Sequence, residues 1–207
     1  MTQSLPPAPT PRRRLSSSDA ARIAMFAALI AVLGMPGSFS VFGNAVPITL
    51  QSMGVMLAGA VLGAWRGAAA VAVLLALVAA GLPLLAGGRG GLGVFAGPSA
   101  GYLIGWVVGA AVVGWLVERG GRRPGIVRVL VACLIGGVVV VYAFGVPVQA
   151  AVTGVPLDTT AGLSLAFVPG DLVKAVIAAW VTVGVFRAYP EASPVVRRER
   201  SHTVSGA

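Results

Sequence analysis

Long apolar runs separated by short polar segments make up most of this chain. Of its 207 residues, 57% are hydrophobic and only 10% are charged, whereas a soluble domain keeps about a quarter of its residues charged. The length suits about six membrane spans of roughly 20 residues joined by short loops. The sequence therefore predicts an all-α integral membrane protein, built as a bundle of about six transmembrane helices.

Glycine, proline and charged residues mark most ends of the apolar runs. We place these runs at about residues 20–35, 49–64, 68–85, 99–117, 126–146 and 169–187. The segment 147–168 is only moderately apolar, and its structure is left open. We predict a disordered cytoplasmic tail over residues 1–19, a six-helix transmembrane substrate-binding domain over 20–188 and a polar cytoplasmic tail over 189–207.

The basic residues orient the bundle. If the N-terminus lies in the cytoplasm and successive runs alternate in direction, thirteen of the fifteen basic residues fall on the inner side. These are Arg12, Arg13, Arg14, Arg22, Arg66, Arg119, Arg122, Arg123, Arg128, Arg187, Arg197, Arg198 and Arg200. Only Arg89 and Lys174 fall toward the outer side, which is a strong positive-inside pattern. The pattern requires an even number of spans, so both termini are expected in the cytoplasm.

The apolar runs contain few ionisable residues, and this argues against several classes of protein. Comparable apolar runs follow the first one, which argues against a cleaved signal peptide. Asp171 is the one acid at membrane depth and the predicted spans contain no histidine, so neither an enzyme nor a proton-driven pump is expected. Cys133 and the tail residue His202 give no metal-ligand cluster. The chain has no P-loop and cannot hydrolyse ATP itself. The remaining class is a membrane binding protein that depends on other proteins for energy.

Asp171 and Lys174 are the most informative pair of charges. They are three residues apart on a predicted helix and therefore share one face. Ionisable groups at membrane depth are costly and usually face an interior cavity. The functional interpretation is a carboxylate that accepts N–H donors and an ammonium that neutralises a ligand acid. The alternative is a structural ion pair that reaches the outer interface.

Arg89 is the outer-side arginine, and it lies in a glycine-rich loop. Gly90 and Gly91 would let the backbone bend closely around a small ligand. Arg89 is a candidate anion-binding group or outer gate, and the alternative is a solvated loop charge. The loop also matches G-x-G-x-x-G, but no strand precedes it and it would lie outside the membrane. Nucleotide binding by this loop is therefore rejected.

Three more polar residues lie at predicted outer helix ends, and small residues line the first helix. Asn44, Gln51 and Tyr102 are candidate ligand contacts, because each offers hydrogen-bonding groups near the outer surface. Trp106 lies one turn deeper than Tyr102, and packing is its expected role. In the first helix, small residues recur every four positions and would permit close helix–helix contact in lipid. That stripe consists of Ala20, Ala24 and Ala28.

Two long segments resemble signatures of the BioY family. Residues 44–59 (NAVPITLQSMGVMLAG) are similar to its VPITLQ…GVMLAG signature, and residues 81–102 (GLPLLAGGRGGLGVFAGPSAGY) are similar to its next one. Residues 169–174 (PGDLVK) resemble its last-helix motif. The resemblance covers about residues 20–188, although it is weak over 147–168.

BioY proteins are the biotin-specific S components of energy-coupling factor transporters. The resemblance therefore implies an S-component bundle with an outward-facing biotin pocket. It implies two partners on the inner side, a membrane coupling protein and a pair of ABC-type ATPases that use the ATP. The alanine stripe of the first helix would pack against the coupling protein. No cofactor and no nucleic acid are expected on this chain.

Two other functions stay open at this point. One is an S component for another small vitamin, because the polarity of the pocket alone does not select biotin. The other is a membrane scaffold without a ligand, which predicts that Asp171, Lys174 and Arg89 tolerate replacement by alanine.

Overall fold

The computed structural model describes residues 16–36 and 46–197. Asn44 lies outside the described residues, as do most of the predicted N-terminal tail and the second half of the C-terminal one. The regular elements of the described chain are helical, which confirms the predicted all-α class. The α-helices are α1 Ser17–Val32, α2 Gln51–Leu62, α3 Ala64–Ala79, α4 Ala100–Glu118, α5 Ile126–Leu134, α6 Val141–Thr153, α7 Leu157–Ser164 and α8 Val168–Ala188.

The eight described α-helices form a bundle of six helical segments, here called passes, because α5 continues into α6 and α7 continues into α8. Three described helices are long and apolar enough to cross a membrane, namely Ala100–Glu118, Ile126–Thr153 and Leu157–Ala188. The apolar helices α2 and α3 are shorter, with 12 and 16 residues. Nearly all of α2 is buried among the other helices. A helix enclosed by protein need not match the thickness of the bilayer, since its polar ends face protein instead of lipid.

The second and third passes meet at Gly63. The sequence predicts that Trp65-Arg66-Gly67 separates them, and this boundary is wrong, because α3 already begins at Ala64. Gly63 has φ 87° and ψ 176°, a conformation that essentially only glycine adopts. The side chain of Glu118 accepts a hydrogen bond from the Ala64 N–H, at the first residue of α3, at 3.0 Å. This glycine reverses the chain without a loop.

The fifth pass differs most from the prediction. It ends at Thr153 instead of residue 146, because the helix continues through Pro147. Between α5 and α6, residues Ile135–Val140 form a π-helical turn. Gly154, with φ 71°, then ends the helix, and Pro156 precedes α7. The moderately apolar segment that the sequence left open is therefore mostly helical.

The two ends of the bundle carry different charges. One end, here called the arginine-rich end, joins the N-terminus of α1, the α2–α3 turn and the C-termini of α4 and α8. Its described basic residues are Arg22, Arg66, Arg119, Arg122, Arg123, Arg128, Arg187 and Arg197. The opposite end, here called the site end, carries Arg89 and Lys174. The structure thus separates the described basic residues as the sequence predicts.

Ion pairs and caps tie the arginine-rich end together. Arg66 donates two hydrogen bonds to the buried carboxylate of Asp19, at 2.7 and 3.1 Å. Arg197, beyond α8, donates to the last carbonyls of α2 at 2.8 and 3.2 Å. Burial, together with the nearby Arg22 and Arg66 guanidiniums, lowers the pKa of Arg197 to about 10. The chain after α8 therefore packs against the bundle at least as far as Arg197, with Ser193 fully buried.

Candidate functional site

A small cavity of about 60 Å³ lies at the site end, among the first turns of α2, α4 and α8 and the start of α6. Most of its lining is apolar or aromatic, and its polar groups come from five different segments. The lining residues are Val46, Pro47, Ile48, Thr49, Ser52, Tyr102, Trp106, Gly137, Val141, Tyr142, Phe167, Asp171 and Lys174. An apolar cavity with a few convergent polar groups is the usual form of a small-molecule site.

The predicted charge pair, Asp171 and Lys174, lines this cavity. Asp171 and Lys174 share one face of α8, and their side chains form an ion pair of 2.8 Å. Both residues are buried, with 6% and 7% of their surface exposed. Asp171 lies in the first turn of α8, where the helix dipole favours a negative charge. Both charges are thus compensated, although they lie in an apolar bundle.

Two hydroxyl groups complete the surroundings of the pair. Lys174 Nζ donates to Ser52 Oγ at 3.1 Å, and Ser52 Oγ donates to Asp171 Oδ1 at 3.4 Å. The Tyr142 hydroxyl, from α6, donates to Asp171 Oδ2 at 2.5 Å. We call Asp171, Lys174, Ser52 and Tyr142 the Asp171 cluster. It joins α2, α6 and α8 around one carboxylate.

Tyr102 contributes its ring to the cavity, whereas its hydroxyl bonds other helices. The hydroxyl lies 3.0 Å from Gln149 Oε1 on α6 and 3.2 Å from Ser164 Oγ on α7. The ring packs edge-on against Tyr142, with centroids 6.2 Å apart. The sequence predicts that Tyr102 contacts the ligand through its hydrogen-bonding group. In this structure the hydroxyl positions α7 against α4 and α6.

Gln51 does not line the cavity, in contrast to the expectation from the sequence. Its amide Nε2 donates to the carbonyls of Ile30 and Leu84, at 3.2 and 3.0 Å. Its Oε1 accepts from the backbone N–H of Ala86 at 3.0 Å. Gln51 is 1% exposed, so these bonds satisfy a buried amide that would otherwise be costly. The residue holds the end of α1 and the glycine-rich loop against the start of α2.

Arg89 and its glycines lie at the site end but outside the cavity lining. The Arg89 guanidinium donates to Ala86 O and to Ser99 Oγ, both at 3.3 Å. Partial burial lowers its pKa from the ordinary value of arginine. A Cβ on Gly90 would lie 2.3 Å from the carbonyl oxygen of Leu82, and Gly91 has φ 82°. Both glycines serve the fold of the loop itself.

Comparison with known proteins identifies the family. Residues 8–191 match the model of the BioY family. The chain belongs to the BioY family. It is 49% identical over 181 residues to the biotin transporter BioY of Rhizobium etli, covering 85% of this chain and 97% of that protein. It is 46% identical over 182 residues to that of Rhodobacter capsulatus, covering 82% and 94%.

A solved structure gives the same assignment for the fold. The crystal structure of the S-component for biotin from an ECF-type ABC transporter superposes with a TM-score of 0.79 at 32% identity. The match covers 82% of this chain and 91% of that one. The S-component fold expected from the BioY signatures is therefore confirmed. The relatives are named as transporters, so this BioY-family chain belongs to a transport family and not to an enzyme family.

Several cavity residues were missed by the sequence analysis. Ser52 directly follows Gln51 in the first BioY signature, so the signature itself was a usable signal. Tyr142 lies in an apolar run with no motif around it. The only signal in the sequence is its hydroxyl, which needs a hydrogen-bond partner when it is buried. Trp106 was assigned to packing, yet it also lines the cavity.

The alanine stripe of α1 lies on the outside of the bundle. Ala20, Ala24 and Ala28 are all exposed, whereas Ala27 is buried. A larger cavity of about 390 Å³ lies beside the stripe, between α1, α2 and α8, toward the arginine-rich end. It is larger than the cavity at the site end but lacks the Asp171 cluster. The smaller cavity is therefore the candidate ligand site, and the exposed face of α1 is the candidate surface for a protein contact.

Proposed function

We propose that this chain is the biotin-binding membrane subunit of an uptake system. It captures biotin from the outside, and partner ATPases energise import through a membrane coupling protein. The observation that carries the proposal is the Asp171 cluster, a buried and compensated polar site at one end of an apolar bundle. Membership of the BioY family supports biotin as the ligand, since the similar proteins are named biotin transporters.

The chemistry of the cluster complements biotin. Biotin carries two ureido N–H donors, a ureido oxygen and a carboxylate. Asp171 offers acceptor oxygens, and the Lys174 ammonium has three N–H groups, of which Asp171 and Ser52 take two. Its third N–H is available for the ureido oxygen. Tyr102 and Trp106 supply flat apolar surfaces for the bicyclic ring.

Arg89 is the cation proposed to bind the carboxylate of biotin. Lys174 already neutralises Asp171, so a second negative charge needs another partner. Arg89 lies at the same end, and its described contacts are neutral oxygens. A guanidinium bonded only to neutral groups can still form a charge-assisted hydrogen bond to a carboxylate.

Biotin binding requires the cavity to open. Its volume of about 60 Å³ is well below the ~300–1,000 Å³ of typical small-molecule pockets. Val46–Thr49 is the non-helical stretch of the described lining. Its movement would enlarge the cavity without breaking a helix.

Titration of the purified full-length protein with biotin tests the proposal. Replacing Asp171 with asparagine is expected to weaken binding about ten- to a hundredfold, because a charged acceptor of the ligand is lost. Asp158→Asn, an exposed acid on α7, is the matched control and should bind like the wild type. The same titration with biotin amide should show weaker binding, and Arg89→Ala should remove the difference between acid and amide.

The alternatives give different results in this experiment. A scaffold without a ligand would give no binding in any variant. An S component for another vitamin would bind that vitamin and not biotin. If Asp171→Asn binds biotin with wild-type affinity, measured on monodisperse protein, the charge pair has a purely structural role.

The site end is proposed to face the outside, with both termini in the cytoplasm. The arginines at the opposite end support this orientation through the positive-inside rule. A reporter that works only in the cytoplasm should be active when it is fused after Ala207. A reporter that works only outside the cell should be inactive at the same position. A fusion in the loop near Gly88 should give the reverse pattern. Activity of the C-terminal fusion outside the cell would overturn the orientation.

A further inference from the structure

We propose that Tyr142 contacts the ligand directly and that its phenolic oxygen accepts one of the two ureido N–H groups. The inference rests on the proposed function, because it assumes biotin as the ligand. Tyr142 lines the cavity together with Asp171 and Lys174. It lies on a different helix and outside every sequence signature described above.

The hydrogen bonds around Asp171 leave little room for a second ligand donor. A carboxylate has about four acceptor positions. Oδ1 accepts from Lys174 Nζ at 2.8 Å and from Ser52 Oγ at 3.4 Å, and Oδ2 accepts from Tyr142 at 2.5 Å. One position therefore remains for the ligand, whereas biotin presents two ureido N–H groups. The second N–H needs another acceptor in the cavity.

The Tyr142 oxygen provides this acceptor. Its single hydrogen is donated to Asp171, so both lone pairs of the phenolic oxygen are available to accept. Donation to a carboxylate also makes the phenolic oxygen a better acceptor, since linked hydrogen bonds polarise one another. The Tyr102 hydroxyl is less suitable, because it is already bonded to Gln149 Oε1 at 3.0 Å and to Ser164 Oγ at 3.2 Å.

The π-helical turn explains how Tyr142 reaches this position. A π turn accommodates one more residue than an α turn, and such turns are frequent at functional sites. Each added residue rotates the following helix by about 100° relative to the preceding one. Tyr142 lies two residues beyond the turn Ile135–Val140. The added residue thus directs Tyr142 toward α8 while α5 keeps its own packing face.

Two glycines allow the turn to fit between α2 and α4. A Cβ on Gly136 would lie 2.5 Å from a side-chain carbon of Val113 and 2.6 Å from the Gly109 carbonyl oxygen, on α4. A Cβ on Gly137 would lie 2.5 Å from side-chain carbons of Met56, on α2. Gly137 also lines the cavity. The turn is therefore packed tightly against the bundle, which fixes the position of Tyr142.

The test compares biotin with its two analogues methylated at one or the other ureido nitrogen. Each is titrated against the full-length protein in lipid nanodiscs, as wild type, as Tyr142→Phe and as Tyr189→Phe. Tyr189 is an exposed tyrosine at the arginine-rich end and serves as the matched control. In Tyr142→Phe, biotin affinity is expected to fall about three- to tenfold, the loss of one hydrogen bond to the ligand.

The selectivity between the analogues distinguishes direct contact from positioning. With direct contact, methylation at either nitrogen weakens binding to the wild type, because one N–H is bonded to Asp171 and the other to Tyr142. Tyr142→Phe then loses most of the penalty for methylation at one nitrogen and keeps the penalty at the other. If Tyr142 only positions Asp171, the phenylalanine variant weakens biotin and both analogues by the same factor, which overturns the inference. Unchanged affinity in Tyr142→Phe overturns it too, while leaving the biotin function intact. Absence of biotin binding by the wild type would reject the proposed function, and the inference with it.

Discussion

Replacing Lys174 with methionine is expected to cause the largest loss of stability of any single substitution at the site. The change removes the ammonium that lies 2.8 Å from Asp171 Oδ1 and keeps most of the side-chain volume. The carboxylate stays buried without a counter-charge. Removing one partner of a buried ion pair costs about 3–5 kcal/mol. Thermal unfolding of the ligand-free protein in detergent should show a markedly lower Tm.

The double variant Asp171→Asn/Lys174→Met separates the charge from the packing. A neutral amide in place of the carboxylate removes the uncompensated charge, so the double variant should recover most of the lost stability. Arg187→Met provides the matched control, because Arg187 is an exposed cation on the same helix. It should unfold close to the wild type. Equal Tm values for Lys174→Met and the double variant would contradict the expected dependence on charge.

Biotin binding by the double variant decides what the pair is for. If Asp171 and Lys174 only hold α8 against α2, the neutral pair should retain much of the wild-type affinity. If they contact the ligand, the double variant should be folded and should not bind. The double variant should combine near-normal stability with lost biotin binding only if Asp171 and Lys174 contact the ligand. The measurement thus distinguishes a binding pair from a structural one without relying on a destabilised protein.

The charge pair Asp171 and Lys174 could be found from the sequence because charge is rare in this chain. With 10% charged residues, two ionisable groups three positions apart in an apolar run stand out. Their energetic cost allows few explanations. Gln51 carried no comparable signal. An amide within a family signature could either contact a ligand or bond buried backbone groups. Only its hydrogen bonds to the carbonyls of Ile30 and Leu84 distinguish the two roles.

The helix boundaries depended on features that composition does not record. Gly63 ends α2 through its backbone conformation, while the more conspicuous Trp65-Arg66-Gly67 lies in the first turn of α3. Pro147 lies inside α6, because neighbouring helices in a bundle can satisfy the carbonyl that proline leaves free. In the sequence, the π turn is visible only as an apolar run with two glycines, which does not distinguish it from an α-helix. Tyr142 was missed for this reason, since its orientation follows from that turn.

A bulky residue in the alanine stripe of α1 is expected to impair transport while leaving biotin binding unchanged. Ala24 and Ala28 are exposed on the outer face of α1, and neither lines the cavity that holds the Asp171 cluster. Small residues at four-residue spacing let a partner helix approach closely in lipid. Tryptophan at position 28 would separate the two helices, and overpacking of such an interface costs about 1–3 kcal/mol. Assembly with the coupling protein should weaken about five- to a hundredfold.

The neighbourhood of the stripe supports a protein contact there. Met25 is 59% exposed, and Leu29 is exposed beside it. Both line the cavity of about 390 Å³ between α1, α2 and α8. A partner helix lying along the stripe could fill this cavity with apolar side chains, which would add buried area to the close approach at the alanines. The contact would thus combine a flat stripe with an adjacent recess.

The experiment compares Ala28→Trp with Ala143→Trp. Ala143 is an exposed alanine on α6, away from the stripe, and controls for the presence of tryptophan on the outer face of the bundle. Each variant is co-expressed with the coupling protein and the ATPases, and co-purification, biotin uptake and biotin binding are measured. Ala28→Trp should lose co-purification and uptake and should keep binding, because the site end is undisturbed. Ala143→Trp should keep all three. Full uptake and assembly by Ala28→Trp would show that the alanine spacing reflects only the composition of an alanine-rich chain.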